Sequence, residues 1–123
     1  MREIIGIWIN CPSVEVADEI SSVLLTQRLV ACCNRFAPME SCYVWKGKIE
    51  TEEEIPLLVK TRRELFDSVV RAVRPIHPYE TPAIYAVDIA AASDDYIDWA
   101  FAETAAAGSR PDQAERSTNS PLK

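Results

Sequence analysis

The chain contains 123 residues, of which 48% are hydrophobic and 26% are charged, and its formal net charge is −6. This composition predicts one soluble globular domain, and the acidic balance argues against a nucleic-acid partner, because phosphate binding requires a concentrated basic surface. No apolar run approaches the roughly 18 residues that a membrane span needs. The N-terminus also lacks the pattern of an export signal. We therefore expect a cytoplasmic protein that has no membrane partner.

The first part of the chain predicts a strand followed by a helix. Residues 3–10 are almost continuously apolar and β-branched, as in a strand that is covered on both faces. Pro12 ends this run, and Ser13 is placed to cap a helix. Apolar residues then recur at helical spacing at Ala17, Ile20 and Leu24. We therefore predict a helix over residues 13–28.

The middle of the chain predicts two further strands that form a long hairpin. Residues 29–33 and 41–45 are rich in strand-forming residues. Gly47 can take the positive φ of a tight turn. Residues 49–60 then return as a strand whose first half is acidic and whose second half is apolar. Because proline lacks a ladder donor, Pro56 predicts a bulge or a sheet edge.

The last part of the chain predicts a helix, a rigid loop, a strand and a final helix. Thr61 and Glu64 fit a T-x-x-E capping box ahead of the second helix, and Pro75 ends that helix. The segment H-P-Y-E-T-P, residues 77–82, is stiffened by its prolines. A fourth strand over residues 83–89 and a helix capped by Ser93 complete the pattern.

The element order β-α-β-β-α-β with a C-terminal helix predicts an α+β, ferredoxin-like sandwich with an antiparallel sheet. This domain covers residues 1–107. Residues 108–123 are polar and cannot bury enough apolar surface to offset their ordering entropy, so we predict a disordered tail there. The hairpin is too long for one small sheet, and its aromatic residues Tyr43 and Trp45 favour a partner surface.

Several motifs carry a resemblance to a known family. They are L-V-A-C at 29–32, Y-x-W-K-G-K-I-E at 43–50, K-T-R at 60–62 and H-P-Y-E-x-P at 77–82. Their order and spacing, over residues 3–104, resemble the CutA family of divalent-cation tolerance proteins. The resemblance implies a ferredoxin-like protomer, a tight homotrimer and a link to divalent-metal tolerance, copper in particular. It implies no established catalytic activity, so we expect a protein that is not an enzyme.

The resemblance also implies a metal site at Cys11 and His77, because family members reported to bind copper use a cysteine and a histidine at these positions. Some members carry a second histidine directly before the first, where this chain has Ile76. A copper ion held by two protein ligands should bind with modest affinity, and we expect no other cofactor. In the alternative interpretation, His77 hydrogen-bonds the loop and packs a subunit boundary, or acts as a general base with Glu80.

The remaining candidate groups have structural interpretations. The cysteines at 11, 32, 33 and 42 include no CxxC spacing, which argues against a zinc ribbon or a thioredoxin-like site. Adjacent strand residues point to opposite faces, so Cys32 and Cys33 should not chelate one ion. We interpret the acidic run at 52–54 as a solvated edge. The alternative function is a trimeric signalling or small-ligand module that acts at clefts between subunits, by analogy of fold.

Overall fold

The computed structural model describes residues 2–107, so the predicted tail over residues 108–123 lies outside the described residues. It confirms an α+β fold with an antiparallel sheet. The strands are β1 Ile4–Cys11, β2 Cys32–Arg35, β3 Met39–Trp45, β4 Lys48–Arg62 and β5 Ile84–Asp88. The helices are α1 Val14–Thr26, α2 Phe66–Val73 and α3 Asp94–Glu103. Within residues 2–107, none of these helices is long and apolar enough to cross a membrane.

Strand β4 organises the sheet, whose order is β2-β4-β1-β5 with β3 also paired to β4. It is 15 residues long. Its second half pairs antiparallel with β1, from Ile4↔Arg62 to Cys11↔Ile55, and with β2 on its other side. Its first half pairs with β3 alone, from Met39↔Glu54 to Trp45↔Lys48. We call β3 together with residues 48–54 of β4 the ribbon, because this pair extends beyond the end of β1.

The core lies on the inner face of the sheet, under α1 and α2. Side chains alternate along a strand, so Ile5, Ile7, Ile9 and Cys11 of β1 share this face and are at most 1% exposed. They pack in one cluster with buried residues of both helices and of β4. The members from those elements are Ala17, Ile20, Leu24, Val69, Val73, Ile55, Leu57 and Val59. Each fully buried side chain of this size contributes roughly 1.5–3 kcal/mol.

The opposite side of the sheet, which we call the outer face, is only partly covered. Helix α3 covers one end, where Arg62 lies 5.4 Å over the Phe101 ring and donates a 2.8 Å hydrogen bond to the Thr104 carbonyl. Beyond that end, apolar side chains are solvent-exposed. They are Phe36 at 45%, Tyr85 at 50% and Val87 at 39% exposure. This sheet therefore keeps an open apolar face.

One local prediction is wrong, and a second holds only in part. Thr61 does not cap α2, because its buried hydroxyl donates a 2.6 Å hydrogen bond to the Leu29 carbonyl. A 3-10 turn at Arg63–Leu65 leads into α2 instead. Pro56 makes no bulge in β4, since the register with β1 continues through it, but it lies at a local sheet edge where β4 has no strand partner on its other side, so this prediction holds in part. The Pro56 carbonyl accepts a hydrogen bond from the Phe36 N–H at 2.9 Å. The backbone N–H that proline lacks would therefore face the gap between β2 and β3.

The helix and hairpin ends follow their sequence signals closely. The Ser13 hydroxyl caps α1 by accepting from the Val16 N–H at 3.2 Å. The helix ends two residues earlier than predicted, because Arg28 adopts φ 59 and Leu29 N–H returns to the Leu24 carbonyl in a Schellman arrangement. In the ribbon turn, both Lys46 and Gly47 have positive φ, as a two-residue hairpin turn requires.

Candidate functional site

His77 lies just beyond the end of α2 and ties the following loop to β1. The His77 N–H donates to the Val73 carbonyl at 3.0 Å, which places the ring against the end of β1. Ring Nε2 lies 2.7 Å from the Asn10 carbonyl oxygen, so Nε2 carries the proton and donates it. The Tyr79 N–H donates to Nδ1 at 3.3 Å. Both ring nitrogens are therefore engaged, and His77 is only 5% exposed.

Cys11 ends β1 on the inner face of the sheet. The side chain is fully buried, and its sulfur has a weak contact with the Ile9 carbonyl at 3.9 Å. Burial, with a smaller contribution from the Glu54 carboxylate, raises the pKa of the Cys11 thiol to about 12. The sulfur is therefore a protonated thiol at neutral pH, packed as a small apolar group.

The two predicted copper ligands approach the same end of β1 but do not form a ready copper site. His77 contacts the carbonyl of Asn10, the residue before Cys11. Binding a metal requires a free imidazole nitrogen and a thiolate, whereas the observed histidine is doubly hydrogen-bonded and the thiol is protonated. Within residues 2–107, no group of three or more His, Cys, Asp or Glu side chains is arranged to hold a metal ion. The copper site stays a prediction.

The other cysteines lie where alternation along a strand predicts. Cys33 packs against the core, and burial raises the pKa of its thiol to about 12. Cys32 faces the other way, with its sulfur 3.6 Å from the Asn34 side-chain oxygen. Cys42 is exposed on β3, and all four thiols are free. These positions give no shared site for one ion.

A groove opens between the ribbon and the loop that follows His77. Its volume is about 950 Å³, and its lining includes Tyr43, Trp45, Glu52, Glu54 and Tyr79. The Tyr79 hydroxyl donates to the Glu52 carboxylate at 3.3 Å, and the Tyr79 and His77 rings lie 4.8 Å apart. The loop therefore connects the end of β1 to the ribbon through a continuous set of side chains.

The groove carries a negative potential. Burial, followed by the carboxylates of Glu54 and Glu52, raises the pKa of Tyr79 to about 12. Sequence reasoning missed this groove because it treated the acidic run as uniformly solvated. The period of two was the available signal, since it places Glu50, Glu52 and Glu54 together on the face that continues into Pro56. Glu54 is buried at 7% exposure, unlike the exposed Glu52 and Glu53.

The ribbon exposes apolar side chains, some of which line the groove. Val44 is 71% exposed, Ile49 80%, Trp45 38% and Tyr43 37%. Such a concentration is unusual for a surface that remains in water. Together with the open outer face, it gives this side of the molecule a large exposed apolar surface.

Comparisons with known proteins agree on one family. The family model described as CutA1 divalent ion tolerance protein matches residues 5–103. The chain is 42% identical over 93 residues to the divalent-cation tolerance protein CutA of Archaeoglobus fulgidus, covering 76% of this chain and 90% of that protein. It is 35% identical over 92 residues to protein CutA of Homo sapiens, covering 75% of this chain and 51% of the human protein. The solved structure of the periplasmic divalent cation tolerance protein CutA from Archaeoglobus fulgidus matches with a TM-score of 0.80 at 39% identity, covering 82% of this chain and 98% of that one.

Proposed function

The chain belongs to the CutA1 divalent ion tolerance protein family, and from that premise we propose that it acts in divalent-cation tolerance as a non-enzymatic homotrimer that binds copper weakly. The observation that carries the assembly is the open apolar surface of the outer face and the ribbon. Its members Tyr85, Val87 and Ile49 are 50%, 39% and 80% exposed. The strand order β2-β4-β1-β5 supports the ferredoxin-like description of the protomer.

Burial of this surface gives a physical reason for self-association. Apolar area removed from water contributes roughly 25 cal/mol per Å², and the helices already cover the inner face, so further burial must come from another molecule. The ribbon extends beyond β1 and could pack on the outer face of a neighbouring copy. Head-to-tail contacts of this kind can close into a ring. In a closed ring of three copies, the outer face of each copy would be covered once by the ribbon of its neighbour.

Light scattering coupled to size exclusion tests the assembly. A trimer has three times the 13.8 kDa mass of the chain. Tyr85→Asp introduces a charge on the outer face and should lower that mass. Leu25→Asp is the matched control, because Leu25 is similarly exposed, at 42%, but lies on α1. A wild-type mass equal to one chain would contradict the proposal, as would equal sensitivity of the mass to both substitutions.

Copper binding at Cys11 and His77 is the weaker part of the proposal. Its low affinity follows from the state of the donors, since one imidazole hydrogen bond must break and a buried thiol must lose its proton. The comparison is a copper titration of the wild type with Cys11→Ser and His77→Ala. Ile76→His restores the second imidazole present in some family members and should tighten binding. Equal affinity in all four proteins would place copper elsewhere.

We also propose that the protein works in the cytoplasm. The support is chemical, because all four cysteines are free thiols. Reducing compartments maintain cysteines in this state. The Archaeoglobus fulgidus protein of the matching structure is described as periplasmic. Cell fractionation with detection of the native protein decides between the compartments, and recovery in a periplasmic fraction would reject this assignment.

A further inference from the structure

Helix α3 is held on the outer face by arginine side chains that come from other parts of the chain. The guanidinium carbons of Arg2 and Arg62 each lie 5.4 Å from the centre of the Phe101 ring. Arg28, which follows α1, forms an ion pair with Glu103 at 3.3 Å. We call these three arginines the clamp. Cation–π contacts and exposed ion pairs of this kind each contribute little stability, so the clamp holds α3 weakly.

Apolar burial adds little to the clamp. Among the ten residues of α3, Ala100 is the one that is buried, whereas α1 buries Ala17, Ile20 and Leu24. A helix of this length is marginal in water without tertiary contacts. If α3 leaves the sheet, it should therefore unfold, and its backbone amides should then exchange with solvent.

Arg62 carries a cost that departure of α3 would remove. Its Nε atom is buried and, within residues 2–107, has no hydrogen-bond partner, although its Nη2 donates to the Thr104 carbonyl at 2.8 Å. A buried donor without an acceptor is unfavourable because it has lost its hydrogen bonds to water. The Phe101 ring and the Thr104 carbonyl cover this guanidinium, so water could reach Nε once α3 has moved away. The docked state of α3 therefore contains a local defect that the undocked state lacks.

The part of the outer face under α3 is apolar, like the part that is open. Ile4 lies opposite Arg62 in the register of β1 with β4 and is 4% exposed. Because Ile5 faces the core, alternation along β1 places Ile4 on the outer face. Gly6 follows on the same face and lies opposite the exposed Val87. Uncovering Ile4 would therefore extend the open apolar surface towards the end of the sheet.

We propose that α3 is a cover that opens as a unit while the sheet stays folded, and that its opening extends the apolar outer face by Ile4. The clamp sets how often the cover opens. The device therefore regulates how much apolar surface the protein presents to another molecule. It depends neither on copper binding nor on the number of copies in the assembly.

Amide hydrogen exchange of the native, full-length protein tests the cover, with all samples at one protein concentration. We expect the amides of α3 to exchange at least about tenfold faster than those of β1, after correction for intrinsic rates. Phe101→Leu removes the aromatic ring but keeps an apolar side chain and a good helix former. It should accelerate exchange in α3 about fivefold or more, and change exchange in β1 less than about twofold.

Phe66→Leu is the matched control for the loss of the ring. Phe66 is also half-buried, but it lies on α2 and packs against the core. The substitution should change exchange in α3 less than about twofold, because the opening of α3 does not involve α2. Equal acceleration of α3 by the two substitutions would overturn the proposal. Equal protection of α3 and β1 in the wild type would also overturn it, since α3 would then open only with the whole fold.

Arg28→Gly separates the clamp from overall stability. It removes the ion pair with Glu103 and places glycine at φ 59, a conformation that glycine adopts without strain. We expect exchange in α3 to rise about threefold, as the loss of one ion pair at a helix C-terminus predicts. The midpoint of urea unfolding should stay the same or increase. A lower midpoint with unchanged exchange in α3 would overturn the proposal, because Arg28 would then stabilise the whole fold rather than the docked helix.

Discussion

Replacing Thr61 with valine isolates one buried hydrogen bond. Thr61 is fully buried at the end of β4, and its hydroxyl donates at 2.6 Å to the carbonyl of Leu29, which is itself 6% exposed. Valine has nearly the same volume and the same branching, so packing and strand propensity change little. The substitution removes the donor and leaves a carbonyl unsatisfied in an apolar environment. We therefore expect the free energy of unfolding to fall by about 1–3 kcal/mol.

That loss is large against the roughly 5–15 kcal/mol by which domains are stable. Urea unfolding followed by tryptophan fluorescence measures it as a lower midpoint with an unchanged slope. Protein concentration is held constant throughout, because assembly contributes to apparent stability. In thermal unfolding, each kcal/mol corresponds to a fall in Tm of roughly 4–8 °C for a domain of this size.

Thr51→Val is the matched control for this experiment. Thr51 lies on the same strand but is exposed, and its hydroxyl lies 3.5 Å from the Cys42 sulfur. A surface change of this kind should alter stability by less than about 0.5 kcal/mol. Thr61→Ser, which keeps the hydroxyl and loses one methyl group, should cost about 1 kcal/mol. The reasoning is refuted if Thr61→Val is no less stable than Thr51→Val.

Three further predictions follow from burial and backbone geometry. Iodoacetamide should leave Cys11 and Cys33 unmodified in the native protein and modify both in urea, since burial raises the pKa of each to about 12; mass spectrometry of native alkylated protein showing either modified would contradict this. The folded chain retains the thiol protons of Cys11 and Cys33 at pH values where the unfolded chain, whose thiols have an ordinary pKa of 9.0, releases them. The free energy of unfolding should therefore fall as pH rises above about 9. A urea midpoint that is constant between about pH 8 and 10.5 would contradict this prediction. Gly47→Ala should lower the free energy of unfolding by about 1–2 kcal/mol, because Gly47 has φ 80, which strains a residue that carries a Cβ. A clash would not contribute, since a Cβ at this position would meet nothing within 4 Å. An unchanged urea midpoint would reject backbone strain as the reason for this glycine.

The periodic signals in the sequence predicted the elements well. Helical spacing found the buried stripe of α1, and the Ser13 cap is confirmed by its hydrogen bond to the Val16 N–H. Thr61 is a position where the local sequence pattern predicts the wrong structure. A threonine followed by glutamate three residues later matches a cap, but the strand continues through Thr61, whose hydroxyl bonds 32 residues back along the chain to Leu29. Tertiary hydrogen bonds of this range leave no local pattern.

The candidate site was predicted only in outline. Residue types identified Cys11 and His77, but they could not show that Cys11 shares the inner face with Ile9 or that both His77 nitrogens are engaged. The groove depends on the loop approaching the ribbon through the contact between Tyr79 and Glu52. That approach follows from where α2 ends relative to β1, which a linear sequence does not encode in any short motif.

The unbroken register of β4 also constrains how this protein can change in length. The strand passes from core to ribbon without a bulge, so one alternation assigns Ile55 and Leu57 to the core and Glu52 and Glu54 to the groove. A single-residue insertion between the two halves would turn the ribbon over and move the carboxylates to its opposite side. Viable insertions or deletions should therefore come in pairs and be matched in β3. Homologous chains should differ here by even numbers of residues, with the tip of the hairpin free to vary in length.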